Sequence, residues 1–194
     1  SVTATNLDIA ITHYIGSKVS SEGAITVPAR LMQDFVSSLP SGVINLELDE
    51  HRLHISADQY QSTINGVSAE DFPVMPAISD GTSWEIPASV FKKGLTQSVL
   101  AASSDEARPV LTGVYLHSHE GQLYVVATDS YRLAEKALIK HKGAMSLLIP
   151  AGAMQDMLRL LDDTDEPVRV THHDQQVLFR VGEVELVSRL IDGK

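Results

Sequence analysis

The chain has 194 residues, 43% of them hydrophobic, with no cysteine and a formal net charge of -10. That composition supports a packed core, excludes disulfides and cysteine-based zinc sites, and fits a reducing, cytoplasmic setting. No apolar run is long enough to span a bilayer as a helix, and the acidic balance excludes a generally basic nucleic-acid binder while leaving room for a local basic face.

Taken in chain order, the first strong signal is Ile25-Thr26-Val27-Pro28-Ala29-Arg30, an apolar strand running into Pro-Ala. Leu31, Met32, Phe35, Val36 and Leu39 follow at helical spacing, and proline is tolerated in a first helical turn because its missing N–H would be unpaired there. Alternating β-branched sequence then predicts strands over 43–48, 53–57 and 61–67. Residues 68–83 carry prolines, a glycine and acids and read as a linker.

The unit then returns. Trp84-Glu85-Ile86-Pro87-Ala88 leads into a helix carrying Phe91, Leu95 and Val99, followed by predicted strands over 113–118, 123–127 and 132–139. A third copy, Leu147-Leu148-Ile149-Pro150-Ala151, leads into Met154, Met157, Leu158 and Leu161, then strands over 168–171, 177–181 and 185–191. The prolines stand 59 and 63 residues apart, so the repeat sets the fold. The expected class is α+β, with repeated β-α-β-β-β units, helices on one face of antiparallel sheets, and pairs of units sharing a core. Ala4-Thr5-Asn6-Leu7-Asp8-Ile9 resembles Ala127-Thr128-Asp129-Ser130-Tyr131-Arg132, which closes the second unit, so the chain is expected to begin inside the tail of a unit. The expected domains are 1–82, an incomplete first domain, and 83–194, a complete second one.

Charge is distributed unevenly. Taken as 28–39, 87–102 and 150–161, the three helices carry a net +2 from Arg30, Lys92, Lys93 and Arg159 against Asp34 and Asp156, which leaves -12 elsewhere. Helical periodicity turns Arg30, Lys93 and Arg159 away from the apolar stripe. This is either an ordinary solvated face or a loose, sequence-blind contact with a phosphate backbone.

Motifs for catalysis are thin. The position a phosphate loop ending in Gly193-Lys194 would need as glycine is Ser188, and neither His-Glu-x-x-His nor Gly-x-Ser-x-Gly occurs. His172-His173-Asp174 reads as a polar turn rather than a closed metal site. Acid pairs such as Glu70-Asp71 and Asp162-Asp163 belong to no motif. A small metal-dependent hydrolase is thus the weaker alternative, no cofactor is expected, and the residues read as a binding scaffold. Thr128-Asp129 repeats in Thr5-Asn6 and reads as a bend, whereas Ser130-Tyr131-Arg132 is peculiar to the second unit. With Leu111 and Leu133 it offers either a peptide anchor or an ordinary surface strand.

Asp105-Glu106-Ala107-Arg108-Pro109-Val110-Leu111-Thr112-Gly113-Val114, Val126 to Ala134 and Ser188 to Lys194 resemble the bacterial DNA polymerase III beta subunit, the replicative sliding clamp family. Asp71-Phe72-Pro73 and Val27-Pro28-Ala29-Arg30 do so too. The resemblance implies a non-catalytic processivity factor with three similar domains per subunit, the third absent here. In the intact protein, two subunits would close as a homodimer ring around double-stranded DNA. It implies Arg30, Lys92, Lys93, Arg108 and Arg159 as DNA-facing residues, and a pocket of Leu111, Thr128, Ser130, Tyr131, Arg132 and Leu133. That pocket would take short peptides of the polymerase, clamp loader and repair proteins. A clamp-like peptide-binding module without DNA encirclement is the nearer alternative. Pro109-Val110 departs from members with aromatic side chains on that loop, and the chain is expected to be a fragment that does not close a ring by itself.

Overall fold

The computed structural model describes residues 1–73, 78, 81–162, 164–173 and 175–193. Its elements in chain order are β1 (Val2–Thr5), β2 (Ile9–His13), β3 (Ile25–Thr26), α1 (Ala29–Ser37), β4 (Asn45–Asp49), β5 (Arg52–Ala57), β6 (Tyr60–Asn65), β7 (Val67–Ser68), β8 (Thr82–Ile86), α2 (Ala88–Ser98), β9 (Gly113–His119), β10 (Gln122–Thr128), β11 (Leu133–Lys140), β12 (Ser146–Pro150), α3 (Ala151–Leu160), β13 (Val168–His173), β14 (Gln176–Val181) and β15 (Val184–Arg189). Each helix starts one residue after its proline rather than on it: Pro28, Pro87 and Pro150 are N-caps with ψ of 116°, 132° and 133°. The ring fixes φ near the helical value while ψ stays extended, so proline ends the strand and aims the helix. The proline carbonyl then accepts the first helical bonds, from Met32 N–H in α1 and Phe91 N–H in α2.

Two compact units form, Gly16–Val74 and Ser1–Ile15 with Met75–Lys194. The larger contains two sheets, ordered β11-β10-β9-β12 and β1-β2-β15-β14-β13-β8. A copy does not keep its own first strand: β8 pairs with β13 of the following copy, and β12 pairs with β9 of the preceding one. Both pairings are antiparallel, so the two copies exchange first strands reciprocally. The first fifteen residues pack with this unit, where β2 runs antiparallel to β15 and β1 to β2. Without β2, the edge of β15 would leave a row of backbone groups unpaired.

α2 and α3 pack side by side and seal the space between the sheets. Phe91, Leu95, Met154, Met157 and Leu161 are almost fully buried against Leu116, Leu123, Val125, Phe179 and Leu186. The Phe91 and Phe179 rings stack at 5.9 Å, tying α2 to β14. Gly94 is required by this packing: a Cβ there would lie 2.4 Å from Leu138 Cδ2 and 3.1 Å from Val125 Cγ1. A mid-helix glycine costs about 1 kcal/mol relative to alanine, which the close approach of helix and sheet offsets.

In the smaller unit β4, β5 and β6 form a three-stranded sheet and β3 pairs with β7. Its buried core is Leu53, Ile55 and Ile64, with Ile25, Val27, Met32 and Phe35 partly packed on it. No helix in the structure, among the described residues, is long and apolar enough to cross a membrane.

Candidate functional site

The turn between β10 and β11 is built by two side chains. Thr128 Oγ1 donates to the Arg132 carbonyl at 2.7 Å and accepts from Ser130 N–H. Asp129 Oδ1 accepts from the N–H groups of Tyr131 and Arg132 at 3.0 and 2.9 Å. The Arg132 N–H, the Tyr131 N–H and the Arg132 guanidinium together hold the Asp129 carboxyl below its usual range, against a weaker opposing effect of burial. Ser130 is thereby forced to φ +76°, a left-handed conformation. The loop between β1 and β2 reproduces this bond for bond. Thr5 Oγ1 donates to Ile9 O and accepts from Leu7 N–H, Asn6 Oδ1 accepts from Asp8 and Ile9 N–H, and Leu7 sits at φ +80°. The Thr-Asx pair is therefore scaffold, as its recurrence in the sequence suggests.

What the second turn adds is its display. Tyr131 is 94% exposed, and Leu133 and Arg132 are also exposed, with Arg132 Nε held 3.0 Å from Asp129 Oδ2. Leu111 stands at the end of a short 3-10 turn, Pro109–Thr112, pinned by Leu111 N–H to Arg108 O and by Ser103 N–H to Leu111 O. The two loops are linked by Arg108, whose Nη1 lies 3.4 Å from Ser130 Oγ and whose Nε lies 3.4 Å from Asp105 Oδ2. Arg108, expected to face DNA, thus reaches the Ser130 turn. Ile191 N–H donates to Leu148 O, and the side chains of Leu148 and Val110 lie close to Gly193.

The helix cations separate into two pairs. Lys92 Nζ lies 2.9 Å from Asp162 Oδ1, and Arg159 forms an i,i+3 pair with Asp156. Among the described residues Arg30 and Lys93 are exposed and make no ion pair. An open cleft of about 300 Å³ at the start of α2 is lined by Ser89, Lys92, Leu161, Asp162, Thr164 and Asp165. Lys92 and Asp162 stand seventy residues apart in the chain, so no local pattern signals their pairing. Among the described residues no group of three or more His, Asp or Glu is arranged to hold a metal ion. The His172-His173-Asp174 and Asp162-Asp163 readings extend to Asp174 and Asp163, and the Gly193-Lys194 reading to Lys194, which lie outside the described residues.

Residues 85–194 match the family described as DNA polymerase III beta subunit, central domain, and residues 1–76 match its N-terminal domain. The chain belongs to the DNA polymerase III beta subunit family. Beta sliding clamps of Synechococcus elongatus and Bacillus subtilis are each 32% identical to it, over all of this chain and 54% of their own length. The chain therefore spans about half of the relatives it matches. Among solved structures, the beta subunit of Thermotoga maritima superposes with a TM-score of 0.90 at 27% identity, over 99% of this chain and 53% of that one. The sliding clamp of Bartonella birtlesii, solved bound to griselimycin, gives 0.91 at 31% identity, over 99% and 54%. The α+β clamp fold with antiparallel sheets is that of these family members.

Proposed function

We propose that this chain is part of a sliding clamp, a non-catalytic processivity factor of bacterial replication that acts in the cytoplasm. Within it, residues 1–82 belong to a first clamp domain and 83–194 form the second. The intact homodimer ring encircles duplex DNA and holds the polymerase, the clamp loader and repair proteins by short peptides. The family match across both domains carries this reading, supported by the preorganised turn that displays Tyr131, Arg132 and Leu133 and that Arg108 links to the loop carrying Leu111. An exposed aromatic ring beside a guanidinium held by Asp129 suits peptide anchoring. Arg30 and Lys93, with Lys92 and Arg159 when their carboxylate partners release them, supply the loose phosphate contact of a sliding protein.

The test is a titration of the intact protein with griselimycin, the compound bound by solved relatives. Arg132→Ala and Leu111→Ala should each weaken binding by about tenfold or more. Unchanged affinity in both sinks the pocket assignment. A second reading, a peptide-binding module without DNA encirclement, draws support from the Lys92–Asp162 and Arg159–Asp156 pairs, which offset half of the helix cations. Stimulation of long synthesis on primed circular DNA by the intact protein decides between the two.

A further inference from the structure

The outer face of the β9–β12 sheet is less polar than a solvated sheet face needs to be, and it starts at the candidate pocket. Strand register places Leu133 opposite Thr128, then Glu135, Val126, Tyr115 and Leu148 in the next row, then Ala137, Tyr124, His117 and Ser146. The alternate residues, Val114, Leu116, Leu123 and Val125, are buried, so these rows all point outward. Three of the outward rings form a stacked ladder. Tyr115 and His117 lie 4.8 Å apart at 11°, and His117 and Tyr124 lie 5.5 Å apart at 19°. The Tyr115 hydroxyl is held 3.0 Å from Ser146 Oγ, so the ladder is fixed at its edge. Glu135, exposed beside it, makes no ion pair among the described residues.

We propose that this face continues the peptide site and takes the extended flank of a partner peptide, with a Lys or Arg side chain seated between Glu135 and the Tyr115–His117–Tyr124 ladder. The inference rests on the pocket reading above. An extended chain leaving Leu133 along the strands advances about 3.3 Å per residue, so its second and fourth residues past the anchor face the two rows. A cation there meets a carboxylate together with Tyr124, the ladder ring on the strand next to Glu135, and the acidic balance outside the helices favours the same sign of partner. The remainder of the ladder is apolar enough to desolvate the lysine or arginine stem.

A phage-displayed library of random twelve-residue peptides, panned on the intact protein, provides the probe, and griselimycin sorts the clones. Peptides displaced by griselimycin should carry Lys or Arg two to four residues from their apolar anchor. Their affinity should fall about fivefold against Glu135→Gln and against Tyr124→Ala, with griselimycin affinity unchanged in both variants. Displaceable peptides with no basic flank and equal affinity for both variants would overturn the extension and leave the pocket standing. If no clone is displaced, and griselimycin binds Arg132→Ala as well as the unaltered protein, the pocket falls and the extension falls with it. Glu135→Gln alters only an exposed side chain, so its result does not depend on how well Tyr124→Ala folds.

Discussion

The two units start from the same β-α-β-β-β pattern and reach different states of burial. In the larger unit two copies exchange first strands, and 24 described residues form one buried cluster. In the smaller unit the buried cluster of a single copy has three members, α1 buries none of its residues, and β4 is exposed along its whole length. Leu31, Leu46 and Leu48 are exposed there, although their spacing suits a core. One copy has a helix with an apolar stripe and a sheet with an apolar face, but too little surface to cover both. The second copy supplies the missing layer and the missing strand.

This contrast can be broken most forcefully at the aromatic centres. Phe91→Ala should cost about 3–5 kcal/mol, because the ring is fully buried. Phe35→Ala in the smaller unit should cost only about 1–2 kcal/mol, since that ring is only partly buried, against a small core. Trp84, the only tryptophan, sits in β8 and reports urea unfolding of the larger unit, while amide hydrogen exchange follows α1. Equal costs at the two positions would remove the distinction.

Two glycines sharpen it within the larger unit. Gly94→Ala should destabilise by about 1–3 kcal/mol by driving α2 off Leu138. Gly152→Ala, in α3 with nothing near its absent Cβ, should instead stabilise by about 0.5–1 kcal/mol. Thermal unfolding of the two variants should shift in opposite directions.

The smallest effect is one of pH. His172 shares the inward face of β13 with Val168 and Val170. Burial there, then the charges of His141 and His173, hold its pKa below the ordinary histidine value. The folded state therefore binds this proton less readily than the unfolded chain. Stability is fully present above about pH 6.5 and declines as pH falls below that toward the lower folded value. In urea melts across this range, His172→Gln should flatten the decline; an unchanged slope would assign it to other groups.

Much of the fold was readable from periodicity. Pro28, Pro87 and Pro150 marked the helix starts, and the nine strands following the three helices formed within two residues of their expected limits. The exchange of β8 and β12 was not readable, because alternation says which face of a strand is apolar and nothing about which neighbour it pairs with. The same holds for β1 and β2: Thr5-Asn6 disclosed their turn, down to its hydrogen bonds, but not their place beside β15. At the site, Ser130-Tyr131-Arg132 stood out as a departure from the repeat. The link from Arg108 to Ser130 and the pair of Lys92 with Asp162 join distant stretches of chain, which no local pattern encodes. The ring ladder was hidden for a related reason, since Tyr115, His117 and Tyr124 look like ordinary outward positions until two strands are set side by side.

The reciprocal exchange of β8 and β12 makes the larger unit equivalent to a domain-swapped dimer whose halves are joined by one short connection, Lys142-Gly143-Ala144, exposed at the surface. A protease cut at that connection would sever the chain without opening either sheet. Each half would still hold a strand that the other needs, so the two pieces, expressed from separate genes, should find each other and reassemble.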